Sequence, residues 1–562
     1  MSKVCIIGLD GGTFTVIDFL VSQGRLPNFT KLIEQGSRAT LLSTIPPVTW
    51  PAWASFYTGT NPGKTGAADI FKFRPGTYQL EPMNAGNLQG APIWSLASSA
   101  GKRVCIYNVP VTYPAVPVNG IMISGLDAPE FNQRAVYPSD FGNSLLKAVP
   151  EFQISFENDA KYLVNNRPDP VMEWIGQLEQ YLKMEIKVIN YLMTLEDWDL
   201  FVAVIRSTDI FQHTHWRAAE MVVSGEEVSA EDNMRAGAVF ACYEAVDRQL
   251  GDSWLRWCED RNLVFMSDHG FGRLDGYVSV NRVLADAGLL KFRPVSRNRR
   301  SQTYLVKKLQ SHLPRATRQK VKHYLGLAKS RERWHTYADS LVADIDWSCT
   351  RLCSIGGFGC LFINLKGRDP LGTVSGEAER QRVLAEAEAA LSELKDPRNG
   401  KPLISRFYRK EEIYSGPLMT EMPDMVINMS DWSYCPVIGT ANDLAEESIF
   451  RPPTKEWKQL AHTGAHRREG ILLARGPGIK NVNLGQAQMV DVAPTIMSLL
   501  ELPPLDEWDG RVLEETLVGG AISTGPGREV YGGAAAGAPR HQVYSEEEEE
   551  EIRKRLENLG YL

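Results

Sequence analysis

Short apolar runs that end in glycine, aspartate or serine recur along the chain: Val4 to Leu9, Val104 to Val109, Leu200 to Ile205, Leu263 to Met266, Met425 to Ile427 and Ile471 to Leu473. They are rich in β-forming residues and do not alternate with polar ones, the pattern of strands covered on both faces. Longer stretches between them carry apolar residues at helical spacing, Val171 to Thr194 and Gly237 to Glu259 among them, and predict the covering helices. The combination predicts a three-layer α/β/α sandwich with a mostly parallel central sheet. Ligands of such open sheets bind beyond the carboxyl ends of the strands. The polar residues directly after each run are therefore where chemistry is sought.

Three stretches break this rhythm. Residues 291–334 hold 14 Lys or Arg against one acid, Glu332, with Tyr304, Leu305, Leu309, Leu313, Val321, Tyr324 and Leu325 at roughly helical spacing, and predict an inserted basic helical cap. Residues 519–540 are rich in glycine and alanine and predict a flexible linker. The ending SEEEEEEIRKRLENLGYL predicts a helix: Ser545 and Glu548 form a capping box, Glu549 and Arg553 an i,i+4 pair, and Ile552, Leu556 and Leu559 one apolar stripe, with Gly560 as a stop. The expected organisation is a discontinuous catalytic domain over 1–290 and 345–515, a basic insertion over 291–344, and a linker with a terminal helix over 516–562.

Composition narrows the class of protein. With 61 basic and 68 acidic side chains in 562 residues the formal charge is -7, which excludes a generally basic nucleic-acid coat. At 43% hydrophobic and 23% charged the chain matches a soluble globular protein. The apolar run near the start is too short for a signal peptide, and no stretch approaches the roughly 18 apolar residues of a membrane span. Eight scattered cysteines, several inside apolar runs, read as reduced core thiols, and the expected compartment is the cytoplasm. Cys349, Cys353 and Cys360 lack the spacing of a paired zinc site.

The first run ends at Asp10 in GLDGGT, the third at Asp209 with His213 in STDIFQHTHW, and the fourth at Asp268 and His269 in FMSDHGFG, while His466 falls just before ILLARGPGI. Three aspartates and three histidines are the donor chemistry for two divalent ions with open positions. Each alone reads equally as a loop residue; SDHG after a buried strand is harder to dismiss. His215 and His462 lie near the same motifs as weaker candidates. Thr49, in PPVTWPAW, precedes a proline suited to the first turn of a helix, so its hydroxyl is expected at a helix N-terminus, where the dipole favours a phosphate. The alternative for Thr49 is a plain N-cap.

In order along the chain, GLDGG, PPVTWPAW with TGTNPGKTG, TDxxxH, SDHGFG followed by VNRVLADAGLL, GAHRREGILLARGPGI and DVAPTIMSLLELPPLDEWDGR resemble the alkaline phosphatase superfamily, in its type I phosphodiesterase and nucleotide pyrophosphatase branch. The resemblance implies two divalent ions, zinc or alternatively manganese. Asp209, His213 and His466 would hold one, and Asp10, Asp268, His269 and the Thr49 oxygen the other. It further implies a phosphate diester or nucleotide substrate and displacement through a phosphothreonine. Two positions depart from the pattern. Ala52 stands where nucleotide pyrophosphatases carry an asparagine that binds a phosphoryl oxygen, and Thr65 stands where many close relatives have histidine.

Other reactions of the superfamily remain open at this point: phosphomonoester or phosphonate hydrolysis, or a phosphomutase. A different class is a binding protein whose basic segment 291–334 holds a polyanion or an anionic membrane surface.

Overall fold

The computed structural model describes residues 2–156, 170–293, 342, 344–437, 449–451, 462–520, 527–536 and 542–558. The basic cap expected at 291–344, including every residue from Tyr304 to Leu325, lies almost wholly outside the described residues.

Among the described residues nine strands form the central sheet, in the order Asn483–Gln488, Ser37–Leu42, Glu469–Arg475, Asn262–Met266, Val4–Leu9, Leu200–Ile205, Val104–Val109, Gly120–Ser124 and Val136–Tyr137. The five strands from Asn262–Met266 to Gly120–Ser124 are parallel to one another. These are largely the uninterrupted apolar runs, and every residue of Val4–Leu9, Leu200–Ile205 and Val104–Val109 is buried, as strands covered on both faces require. One set of helices, including Pro170–Leu195, Ser207–Val223 and Ala230–Gln249, packs together over part of the sheet. A second set joins Thr49–Thr58, Ile93–Ser99 and Val492–Leu499.

Two expectations about strands are corrected. Met425–Met429 does not enter the central sheet. It belongs to a separate four-stranded antiparallel sheet with Leu352–Ile355, Cys360–Ile363 and Ile404–Arg409. Glu469–Arg475 does enter the central sheet but runs antiparallel to both its neighbours. An apolar run reports burial on two faces; it carries no information on which sheet supplies its partners.

The described residues near the C-terminus pack onto the rest of the chain. Glu546–Asn558 is helical, with Ser545 Oγ accepting from Glu548 N at 3.2 Å and Glu548 Oε2 accepting from Ser545 N at 2.8 Å. Its Arg555 guanidinium donates to the carbonyls of Leu126, Ala128 and Pro129. Within the linker expected at 519–540, Gly527–Tyr531 is helical and Gly532–Ala536 a 3₁₀ turn; Tyr531 is buried and its hydroxyl donates to Pro503 O at 2.5 Å. Among the described residues no helix is long and apolar enough to cross a membrane.

Candidate metal centre

Asp10, Asp209, Asp268 and His269 leave the carboxyl ends of three adjacent strands. Leu9 is in register with Ile205, and Gly8 with Met266, so the polar residues that follow emerge side by side. Gly11 turns the chain back at φ +67°, and its N–H donates to Asp268 Oδ1 at 3.2 Å. His213 lies one turn beyond Asp209 on the Ser207–Val223 helix, which brings both side chains to one face. His466 arrives by a different route. The short strand Gly464–Arg467 pairs antiparallel with Gly270–Arg273, directly after His269, and sets His466 opposite Phe271.

Thr49 is the first residue of a ten-residue helix in which every side chain is buried. That helix lies directly on the first strand, because Gly8 has no side chain: a Cβ there would stand 2.4 Å from the Trp53 ring. Close packing delivers the Thr49 hydroxyl to 3.3 Å from His269 Nε2. All seven residues singled out in the sequence, Asp10, Thr49, Asp209, His213, Asp268, His269 and His466, thus lie in one cluster, buried except for the half-buried His213. Ala52, one turn after Thr49, is buried and has no side-chain donor.

The imidazoles are oriented by the backbone. His213 Nδ1, His269 Nδ1 and His466 Nδ1 face the carbonyls of Gly464, Gly270 and Pro47 at 3.2, 3.0 and 2.9 Å. A carbonyl only accepts, so each Nδ1 donates a proton to it, and wherever the ring is neutral Nε2 is left with a lone pair facing inward. His213 Nε2 and His466 Nε2 then face one another at 3.0 Å. Burial opposes a charge on His213, but the Asp209 carboxylate outweighs it and raises that imidazole above its ordinary range, so in the metal-free chain a proton on His213 bridges the two nitrogens. The carboxylates converge on the same space: Asp209 Oδ1 is 3.4, 3.5 and 3.9 Å from Nε2 of His213, His466 and His269, and His269 Nε2 is 3.3 Å from Asp268 Oδ2 and 3.6 Å from Asp10 Oδ1.

Charge in this cluster is poorly compensated by the protein. Asp10 Oδ1 and Asp268 Oδ2 are buried with no hydrogen-bond donor aimed at them. Burial, followed by the charges of Asp268 and Asp209, pushes the Asp10 carboxyl well above its usual range, and burial with the Asp209 charge takes Asp268 to about 7. Burial also opposes ionisation of Asp209, but His213 and His466 outweigh it and hold that carboxyl well down. Burial pushes His269 down to about 4 and His466 to about 3, so both rings are neutral and fit to bind a cation. Two overlapping groups satisfy the proximity a metal needs, Asp209 with His269 and His466, and Asp10 with Asp268 and His269. Oxygen and imidazole donors with inward lone pairs and orphaned buried oxygens fit divalent ions.

The weaker candidates separate. His215 is buried edge-to-face against Trp174, away from the cluster, with neither ring nitrogen hydrogen-bonded. His462 lies against the centre, its ring 4.9 Å from that of His213; like His213 it is in neither metal-like group, and what sets His213 apart is its Nε2, 3.4 Å from Asp209 Oδ1. Sequence reasoning missed two participants. Phe358, half-buried in a loop of the antiparallel sheet, sets its ring 5.5 Å from that of His466. Arg206, directly after the Leu200–Ile205 strand, has its Nε 3.5 Å from Asp10 Oδ2. The only signal for Arg206 was its place after a buried run.

The remaining motifs are structural. Lys64 Nζ pairs with Asp509 Oδ1 at 2.6 Å and Asn61 N donates to Asp509 Oδ2 at 2.8 Å, so NPGKTG clasps DEWDG. Thr65 is buried and accepts from Ala67 N at 3.2 Å. Asp491 accepts from the backbone of Gln488 and Arg511.

The family model for type I phosphodiesterase / nucleotide pyrophosphatase matches residues 4–462. No curated protein is matched by the sequence. Among solved structures, human ectonucleotide pyrophosphatase / phosphodiesterase 5 is similar at 12% identity and a TM-score of 0.48, covering 92% of this chain and 100% of that one. The murine counterpart, an inactive variant in complex with AMP, is similar at 13% identity and a TM-score of 0.49 with the same coverage.

Proposed function

The chain belongs to the type I phosphodiesterase / nucleotide pyrophosphatase family of the alkaline phosphatase superfamily, whose members are phosphoric diester hydrolases, and on that premise we propose that it cleaves a phosphate diester or nucleotide with Thr49 as nucleophile and two divalent ions at the Asp–His cluster. The observation that supports the two-ion reading is the convergence of two overlapping donor groups, Asp209 with His269 and His466 and Asp10 with Asp268 and His269, beside the buried Asp10 Oδ1 and Asp268 Oδ2, which have no hydrogen-bond donor. Asp10, Asp268, His269 and the Thr49 oxygen would hold one ion, and Asp209, His213 and His466 the other. Zinc suits this donor set, with manganese as the alternative.

When bound, such ions supply Lewis acidity that makes a coordinated hydroxyl nucleophilic at neutral pH and offsets charge on phosphoryl oxygens. The chain's own contribution is positional. Thr49 is fixed at the first turn of a buried helix, so its oxygen is held ready for in-line attack with little entropy left to lose. The same helix start favours the negative charge that grows on the phosphoryl oxygens. Attack forms the Thr49 Oγ1–P bond as the bond from phosphorus to the leaving oxygen breaks; the Thr49 hydroxyl gives up its proton to solvent, and the departing alkoxide takes one to leave as the alcohol. Water then attacks the phosphothreonine from the opposite side, frees Thr49 and releases the phosphoryl product. Ala52 offers no donor to a phosphoryl oxygen, which leaves that task to the backbone and the ions.

The test combines metal analysis of the purified chain with rates on bis-p-nitrophenyl phosphate and p-nitrophenyl phosphate, and mass spectrometry of acid-quenched turnover. A two-ion stoichiometry, faster diester cleavage and a phosphate adduct on the Thr49 peptide are expected. Activity indifferent to exhaustive chelation, or an adduct on another residue, would overturn the reading.

A further inference from the structure

Arg206 leaves the sheet beside Asp10, since Leu9 and Ile205 are register partners in parallel strands. Its side chain is 1% exposed, and its Nε stands 3.5 Å from Asp10 Oδ2. The other Asp10 oxygen, Oδ1, points the opposite way, toward His269 Nε2 at 3.6 Å. One carboxylate therefore has an outer oxygen addressed by a guanidinium and an inner oxygen addressed to the cluster. The backbone of Asp10 is anchored from the same turn, with Thr208 Oγ1 donating to its carbonyl at 2.6 Å.

The Arg206 position is itself held from a third element. Glu185, fully buried on the Pro170–Leu195 helix, accepts from Arg206 N at 2.9 Å through Oε1, and from Ser207 N at 3.3 Å and Ser207 Oγ at 2.5 Å through Oε2. Asn108 Nδ2 bridges Glu185 Oε1 and Val204 O at 3.3 and 3.0 Å. This ties down the start of the helix that carries Asp209 and His213, and it fixes the root of Arg206. A carboxylate at a helix N-terminus is favourable there for the usual reason of orphan N–H groups and the dipole.

We propose that Arg206 is a positioning residue for Asp10, holding its outer oxygen so that a single oxygen is presented inward to one of the two ion sites. The inference rests on the two-ion reading above. The two halves of the centre are then supported differently. Asp209 is flanked by His213 and His466, whereas Asp10 relies on a fixed guanidinium behind it. Groups that orient a ligand in this way set metal affinity, and their loss typically weakens binding about 10- to 100-fold.

The experiment titrates zinc, and separately cobalt, into the chelator-stripped full-length chain as wild type, Arg206→Met and Arg206→Lys. Arg206→Met is expected to weaken one ion about 10- to 100-fold and leave the other near its wild-type affinity. The cobalt absorption spectrum should change only in the weakened step. Arg206→Lys, which keeps the charge but not the fork, should fall between the two. A folded Arg206→Met that binds both ions as wild type does, or that weakens both equally, overturns the proposal. If Arg206→Met does not fold, Arg206→Lys decides: weakening confined to one ion supports the assignment, and unchanged or evenly weakened binding overturns it. Wild type that takes up no ion would instead sink the two-ion reading.

Discussion

Asp424 in the antiparallel unit and Asp268 at the end of a central strand are both carboxylates with 0% exposure, but the protein completes them differently. Asp424 Oδ1 accepts from Lys410 Nζ at 2.8 Å and Arg380 Nε at 3.0 Å, and its Oδ2 from Ile363 N at 2.9 Å. Asp268 Oδ1 accepts one backbone N–H, and Oδ2 accepts nothing. Two other carboxylates, Asp10 and Asp209, crowd the same space as Asp268. Buried charge is costly unless paired and hydrogen-bonded. Asp424 meets that condition within the chain; the Asp268 cluster meets it only with cations from outside. The contrast marks one as a structural clasp and the other as a site.

The largest test separates chemistry from both clusters. Thr49→Ala removes the nucleophile but no carboxylate or imidazole, so diester turnover should fall on the order of 10³-fold or more. Metal content and melting temperature should stay near wild type. Full turnover in Thr49→Ala would return Thr49 to the role of a helix cap. Next, Asp424→Asn leaves Lys410 and Arg380 facing a neutral amide in a buried setting, and a loss of about 3–5 kcal/mol in denaturant unfolding is expected. The folded fraction should still bind two ions. Loss of metal in Asp424→Asn would mean that the two clusters are not independent.

Metal removal should move the two centres apart in the same way. An ion that binds only the folded chain stabilises it by about 2.7 kcal/mol when present at 100 times its dissociation constant. Chelation should therefore lower the melting temperature of wild type and of Asp424→Asn by similar amounts. A calorimetric scan that shows no effect of chelation on wild type would remove the distinction.

The same contrast explains what could be read from the residues alone. Val104–Val109 and Leu200–Ile205 were legible because burial on both faces writes an unbroken apolar run. Ser37–Leu42 was not, since it lies next to the sheet edge and alternates buried with half-exposed residues such as Arg38 and Thr40. Met425–Met429 looked like a central strand because local pattern cannot name a strand's partners. In the site, Asp10, Asp209 and Asp268 were legible from their places just after strands. His466 was harder, since it precedes a run and reaches the cluster through a hairpin with Gly270–Arg273. Arg206 was invisible for a general reason: an arginine after a strand reads as solvated, and the carboxylate it addresses, Asp10, is 196 positions away. Asp424 was silent for the same reason, its partners Ile363 and Arg380 being distant in sequence.

The smallest expected effect is also the one that decides the sign of the comparison. In the metal-free chain the Asp268 carboxyl is raised to about 7 by burial and by the Asp209 charge, against an ordinary value near about 4. A group raised in this way contributes stability that is fully present below the unfolded value and is lost as pH rises through about 7. Asparagine does not ionise, so metal-free Asp268→Asn should keep what wild type loses. At pH 8 the stripped variant should be more stable than stripped wild type by about 1–2 kcal/mol, and the gap should close as the pH falls toward 4. The identical substitution at Asp424 is destabilising at the same pH, because there it breaks pairs that exist. Urea unfolding of both stripped variants across this pH range reads the two signs directly. If Asp268→Asn also destabilised the stripped chain at pH 8, the Asp268 cluster would be a finished network like that of Asp424, and its orphaned oxygens would no longer argue for ions.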